Sequence, residues 1–389
     1  MVRELRELGA IHSDSVAAAV STVPRHLFAP GEPLDTVYAA TRSIVTKRNE
    51  HGAAISSLSE SHIQATMLEQ AQIEPGMRVL EIGTGGYNAA LIAELVGESG
   101  QVTSVDIDPD IVDRARSCLA AAGYDQVNVV LADAEHGVPD RAPFDRVIVT
   151  AAAWDIPPAW TDQLAGDGRI VVPLRMRGLT RSVSLERGEH HLVSRDYKLC
   201  GFVPMQGASA HSERVIPLDE GKVTLQIDGD QPVDSDRLRD ALFSPRVERR
   251  VCTFRAGEPL HDLDMWVITV VDDFGLLKAT EEAIDSELVS KTTRLGGRAV
   301  IAGGSFAYRA FPQPIDGSRT KFQFRIYGHG PGGERLAEEY VDLIQAWDRD
   351  HRGGSGARIT VYPADTPNSQ LPEGRVIDKK HTRVVISWP

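Results

Sequence analysis

Apolar positions recur at helical spacing over residues 3–25, and Pro24 closes the pattern, which predicts a short N-terminal helical region. From Met77 the period changes. Val79, Leu80 and Ile82 form a short apolar run, a glycine-rich turn follows, residues 89–96 have helical composition, and a second strand-like run over 102–105 ends at Asp106. A helix over 111–122 and strands over 127–131, 146–149 and 169–174 continue the alternation. Strands alternating with helices predict a mostly parallel, doubly wound sheet, an α/β domain ending near Ala210.

Beyond Val215 the runs are short and bounded by Gly, Pro and Asp: 223–227, 265–271, 299–301, 321–327, 358–361 and 384–388 read as strands. Helical patterns are expected at 276–287 and 335–349, and Arg352-Gly-Gly-Ser-Gly356 reads as a turn. The expected organisation is an α/β domain over 1–214 and an α+β accessory domain over 215–389, serving peptide recognition or dimerisation. A chain of 389 residues agrees with two domains of about 150–200 residues each.

With 42% hydrophobic and 25% charged residues the composition is that of a globular protein. A formal charge of −13 disfavours nucleic acid and anionic membrane surfaces as partners. No run approaches the roughly 20 apolar residues of a membrane span, and charges within residues 1–9 interrupt any signal-peptide core. Cys118, Cys200 and Cys252 lack metal-site or disulfide spacing, so a cytoplasmic protein without a metal is expected.

The chemistry concentrates at Glu81-Ile82-Gly83-Thr84-Gly85-Gly86-Tyr87-Asn88, between a strand and a helix, with Asp106 at the end of the next strand. Glycines let backbone approach a ligand, and an acidic residue about 20 positions on suits two ribose hydroxyls. The spacing is neither that of dinucleotide folds nor that of a phosphate loop, which leaves a ligand with ribose and adenine but no phosphate, or a tight turn with no ligand.

Residues 79–88 resemble the first motif of class I S-adenosylmethionine methyltransferases, with their Rossmann-like fold. Asp106 resembles their ribose ligand, and Asp133 in Leu-Ala-Asp-Ala matches the position near the adenine amino group. The resemblance narrows to protein-L-isoaspartate O-methyltransferases through Val23-Pro-Arg-His-Leu-Phe28, Ala54-Ile55-Ser56, residues 143–152, Ile156-Pro157, 168–174 and Phe202-Val-Pro204, six segments in order. It implies S-adenosylmethionine as cofactor, held by Glu81, Gly83, Thr84, Gly85, Gly86, Tyr87, Asp106, Ile107, Asp133, Ala134, Thr150 and Ala151. It implies Ser56 and Ser57 as the groups that orient the substrate carboxylate, with Ile55, His62, Ala152 and Trp154 against the substrate. A carboxylate with a reference pKa of about 4 is already a nucleophile at neutral pH, so positioning, rather than a strong base, is what such a site must supply.

Plainer readings stand beside these. Serines in such a loop are common turn residues, His62 at a helix start capped by Ser59 reads first as a surface or packing residue, and Trp154 reads also as core. His190 and His191 lack a third ligand, and Arg246, Arg249 and Arg250 read as a solvated face or a clamp for an acidic peptide.

The chain departs from repair enzymes in a glycine turn one residue shorter than Gly-Thr-Gly-Ser-Gly-Tyr, in the longer link Ser57-Leu-Ser-Glu-Ser-His62, and in everything after Val215. In this it resembles the methyltransferases associated with lanthipeptides. That resemblance implies methylation of an ordinary aspartate in a precursor peptide already cyclised, the ester passing through succinimide to isoaspartate. Repair of isoaspartyl proteins and a non-catalytic binding role are the alternatives.

Overall fold

A computed structural model describes all residues except 212, 229–232, 259, 294–295 and 316–318. Two helices, Val2–Glu7 and Asp14–Thr22, fill the expected N-terminal helical region, the second begun by the Ser13 side chain accepting from Val16 N. The hairpin β1 (Ile44–Arg48) and β2 (Ala54–Leu58) forms a two-stranded sheet of its own. Strands β3 (Arg78–Ile82), β4 (Gln101–Asp106), β5 (Asn128–Leu131), β6 (Phe144–Val149) and β7 (Leu164–Met176) are parallel in the order β7-β6-β3-β4-β5. Strands β8 (Leu179–Arg187) and β9 (Leu192–Leu199) extend this sheet antiparallel beyond β7.

Both faces of the parallel strands are buried, which explains their unbroken apolar runs. Val79, Val102, Ile148 and Val171 pack with helices Asp14–Thr22, Ser61–Ala71, Tyr87–Val96 and Pro109–Ala121. Their neighbours Leu80, Val105, Val147 and Val172 enter a second core that also holds Trp160, Met265, Phe274, Ile326 and Trp347. Residues from the C-terminal half of the chain therefore share this second core with the sheet.

That half contributes an antiparallel sheet of β10 (Arg214–Asp219), β11 (Val223–Ile227), β12 (Val247–Arg255), β13 (Asp273–Ala279), β14 (Gly297–Ala302), β15 (Ser305–Arg309), β16 (Gln313–Pro314) and β17 (Lys321–His329). Its order is β10-β11-β13-β14-β15-β17-β12, with β16 paired to β17. The chain then returns: β18 (Arg358–Pro363), β19 (Arg375–Asp378) and β20 (Thr382–Ser387) join the first sheet through Thr360 opposite Val193 and Val361 opposite Leu192. Residues 358–387, which lie beyond the expected 214/215 division, thus take part in the first sheet. Strand β9 would otherwise leave an open edge, and residues 358–387 cover it.

Two expectations of secondary structure are corrected. Residues 265–271, expected as a strand, lie mostly in the helix His261–Val270. Leu263, Met265, Val267 and Ile268 are all buried, and a helix packed on several sides between two sheets has no polar face to reveal its period. Residues 276–287, expected as a helix, are the end of β13 followed by the short helix Glu281–Asp285, begun by the Thr280 hydroxyl accepting from Ala283 N. Leu277 pairs with Leu225 on one side and Gly297 on the other, so strand pairing overrides helical composition. The helix Gly333–Asp350 contains the expected 335–349.

The inter-sheet core holds a charged centre. Asp264, in the helix His261–Val270, accepts from Arg298 Nε at 2.8 Å and from Arg309, with Arg181 of β8 at 3.8 Å. Burial opposes its charge, yet the three arginines hold the carboxyl far below the usual carboxylate range.

Candidate active site

The carboxyl ends of β3, β4 and β6 open into a cleft that encloses, with its mouth, about 860 Å³. This is where open α/β sheets bind ligands, because the strand-to-helix turns there expose backbone groups. Gly83 follows β3 with φ +90°, and a Cβ there would stand 2.7 Å from Thr150 Oγ1. Glycine is therefore required on two counts. The Thr150 hydroxyl in turn donates to the Gly83 carbonyl, tying the end of β6 to the turn.

Asp106 ends β4 with its carboxylate accepting Thr84 N at Oδ2 and Asp108 N at Oδ1, both at 3.0 Å. Burial pushes its carboxyl above the usual value, against the pull of those backbone donors. Each oxygen keeps a further lone pair for a ligand hydroxyl. Thr84 Oγ1 is buried with no protein hydrogen-bond partner. Glu81 is fully buried, bonded by Asn88 Nδ2 and Ser104 Oγ, and desolvation pushes its carboxyl up to about 7. Asp133 accepts Glu135 N at Oδ1 and Ala208 N at Oδ2, both at 2.9 Å.

The opposite rim is the hairpin end. Ile55, Ser56, Ser57 and Ser59 line the cleft, and Ser56 Oγ accepts from Thr46 Oγ1 at 2.8 Å. Arg25 underlies this rim. Fully buried, it donates Nε to the Val37 carbonyl, Nη1 to Gln64 Oε1 and Nη2 to the Ser59 carbonyl at 2.6–2.8 Å, with its guanidinium 4.7 Å from the Tyr87 ring centroid. Lys47 of β1 reaches Asp108 and Asp110 at 2.7 Å, fastening the hairpin to the first turn of the helix Pro109–Ala121. The remaining wall is Val203–Gln206, whose backbone is tied to the segment after β6 by Ala152 N donating to Val203 O and Met205 N donating to Ala152 O.

Of the residues singled out in the sequence, the cleft gathers Ile55, Ser56, Ser57, Glu81, Gly83, Thr84, Gly85, Tyr87, Asp106, Ile107, Asp133, Ala134, Thr150 and Ala151. Gly86 caps the following helix beneath it, and Ala152 braces the wall through its backbone. His62 and Trp154 lie outside the lining. His62 Nδ1 sits 3.1 Å from the Ala40 carbonyl, and its side chain borders a separate groove with Leu8, Glu69 and Arg195. Trp154 stacks on His211 at 3.8 Å, 5° from parallel.

Sequence reasoning passed over Arg25, Thr46, Lys47, Gln64 and the 203–206 wall as site elements. The segments containing Arg25 and Val203 carried a signal as motifs, but the partners that give them a role are distant in sequence. His191 stacks on Tyr362, and Arg249 is engaged by Glu334 and Glu338. Among the described residues no group of three or more His, Cys, Asp or Glu could hold a metal ion, and no helix is long and apolar enough to cross a membrane.

Residues 1–210 match the family model described as Protein-L-isoaspartate(D-aspartate) O-methyltransferase (PCMT). The protein-L-isoaspartate O-methyltransferase of Methanopyrus kandleri is 36% identical over 216 residues, covering 55% of this chain and 92% of the relative. That of Hyperthermus butylicus is 39% identical over 217 residues, covering 53% and 87%. A solved protein-L-isoaspartate O-methyltransferase superposes on 92% of this chain and 94% of its own with a TM-score of 0.51 at 23% identity, so the fold of the C-terminal half has a counterpart there. With the family's pattern spanning more than half of its length, the chain belongs to the protein-L-isoaspartate(D-aspartate) O-methyltransferase family and is an S-adenosylmethionine-dependent protein carboxyl O-methyltransferase.

Proposed function

We propose that the cleft holds S-adenosylmethionine with its ribose on Asp106 and its adenine beside Asp133, and presents the sulfonium methyl to a peptide carboxylate positioned by Ser56 and Ser57. The observation that carries this reading is the Asp106 carboxylate, fixed by two backbone N–H groups beside a glycine turn and beside the unpartnered Thr84 hydroxyl. When bound, the cofactor supplies an electrophilic methyl group. The chain's own work is positioning. Ser56 and Ser57 orient the incoming carboxylate, Arg25 holds their segment through Ser59, and the walls displace water. A carboxylate needs no proton removed before it attacks, which accords with serines and backbone on this rim in place of a His–Asp relay.

The substrate class we propose is the isoaspartyl carboxylate of damaged proteins and peptides, which the names of the relatives support. The C-terminal half does not argue against it, since its fold recurs in the solved relative. A second reading, an ordinary aspartate in a constrained precursor peptide of lanthipeptide type, rests on the serine-rich link 57–61, where Ser57 and Ser59 line the cleft. The three free thiols support a reducing, cytoplasmic setting.

Mass spectrometry with S-adenosylmethionine and three peptides, one isoaspartyl, one linear aspartyl and one cyclised aspartyl, separates these readings. Methylation of the isoaspartyl peptide is the expected result. Methylation or loss of water confined to the cyclised aspartyl peptide would replace it by the second reading, and transfer to none would refute both.

A further inference from the structure

The turn between the last two C-terminal strands contacts residues that border the cleft. Between β19 and β20 the chain turns through Lys379, Lys380 and His381, and this turn lands on the two segments that frame the nucleoside side of the cleft. Glu135, one residue beyond the cleft-lining Ala134 and nearly buried, is the meeting point. Its Oε1 lies 3.1 Å from Lys380 Nζ and 2.9 Å from His381 Nε2, and its Oε2 accepts the Ser209 hydroxyl. Burial works against its charge, but those three contacts together hold the carboxyl below its usual value, so it stays ionised at neutral pH.

Ser209 belongs to the stretch that continues the 203–206 wall. Ala208 N donates to Asp133 Oδ2, and Gly207 packs so closely that a Cβ would stand 2.5 Å from the same oxygen. The other end of the wall is held where Ala152 pairs with Val203 and Met205. The turn grips that side as well. Lys379 Nζ donates to the Trp154 and Arg175 carbonyls, while Asp155 accepts His381 N at 2.6 Å and the Thr382 hydroxyl. Lys379 and His381 thus bridge both attachment points of one cleft wall, from more than 170 residues further along the chain.

We propose that the turn Lys379–His381 is a latch that positions the cleft wall 203–209 through Glu135, so that cofactor affinity is set in part by the C-terminal strands. The proposal rests on the assignment of this cleft to S-adenosylmethionine. Its physical logic is preorganisation: a wall already pinned at Glu135 and Asp133 loses less freedom when the nucleoside binds. Lys380, Glu135, His381 and Ser209 are positioning residues in this scheme.

The test is calorimetric binding of S-adenosylhomocysteine to the full chain, comparing wild type with Glu135→Gln, with the double variant Lys380→Ala/His381→Ala, and with the three changes combined. The expected result is affinity weakened about tenfold in the first two, with no further loss on combining them, because all act through one carboxylate. The KM for S-adenosylmethionine should rise with kcat retained at saturation. Lys380 is largely exposed, so the variant Lys380→Ala alone keeps the test open should Glu135→Gln fail to fold. Unchanged affinity in the turn variants, or loss only in proportion to a lowered Tm, overturns the latch. Failure of the wild type to bind S-adenosylhomocysteine overturns the cofactor assignment instead.

Discussion

Replacing Asp106 by alanine tests the cofactor assignment most directly, because two consequences follow from its geometry and they separate. In the ligand-free protein the carboxylate accepts Thr84 N and Asp108 N, each at 3.0 Å. Thr84 is 2% exposed, so its N–H loses a partner that water cannot easily replace, at a cost of about 1–3 kcal/mol in stability. In the complex the same carboxylate would receive the ribose hydroxyls. Hydrogen bonds to a charged group contribute about 1.5–3 kcal/mol, a loss of about 10- to 150-fold in affinity on truncation. Asp106→Asn keeps one carbonyl acceptor but turns an NH₂ donor toward one of the two backbone N–H groups, and its expected affinity lies between wild type and alanine. The assay is isothermal titration with S-adenosylhomocysteine at 25 °C, alongside the unfolding midpoint of each ligand-free variant. Wild-type affinity in Asp106→Ala would remove this carboxylate from the site and refute the reasoning, whatever happened to stability.

Three other outcomes are expected. Ser56→Ala should lower turnover on the peptide substrate with S-adenosylhomocysteine affinity nearly unchanged, since its hydroxyl meets Thr46 on the hairpin rim; single-turnover kinetics with equal rates would pass the orienting role elsewhere. Burial raises the Glu81 carboxyl to about 7 from an ordinary value near 4.5, so the folded protein binds a proton that the unfolded chain has released between those pH values. This group's contribution to stability therefore declines as pH rises from about 4.5 to 7, by about 3 kcal/mol in all. Glu81→Gln should remove that slope from the urea midpoint measured across pH, and an identical slope in both proteins would contradict the assignment. Asp264→Asn should destabilise the fold by about 3–5 kcal/mol, because it strips the shared counter-charge from buried Arg181, Arg298 and Arg309; a urea midpoint within error of wild type would show that this centre is compensated in another way.

What the sequence by itself determined is the part governed by neighbouring residues. The alternation of strand and helix through Arg169, the turn from Gly83 to Gly86 and the placement of Asp106 at a strand end all follow from local sterics and from apolar runs buried on both faces. These signals lie within a few tens of residues of one another, and the structure has the elements where they indicate them. The tertiary structure decided whatever depends on partners far along the chain. Met265 and Val267 form a helix because two sheets enclose them, a fact absent from a run that reads equally well as a strand. Leu276 and Leu277 are drawn into a sheet by β11 and β14 despite helical composition. Thr360 and Val361 pair with β9 across more than 160 residues, which carries Lys380 and His381 to Glu135. Arg25 acquires its role only when Gln64 and Ser59 are folded around it. The physical reason is the same in each case: a dihedral preference or an apolar period belongs to a segment, whereas a hydrogen bond to a buried carboxylate or an unpaired strand edge belongs to a place that exists only once the chain has closed around it.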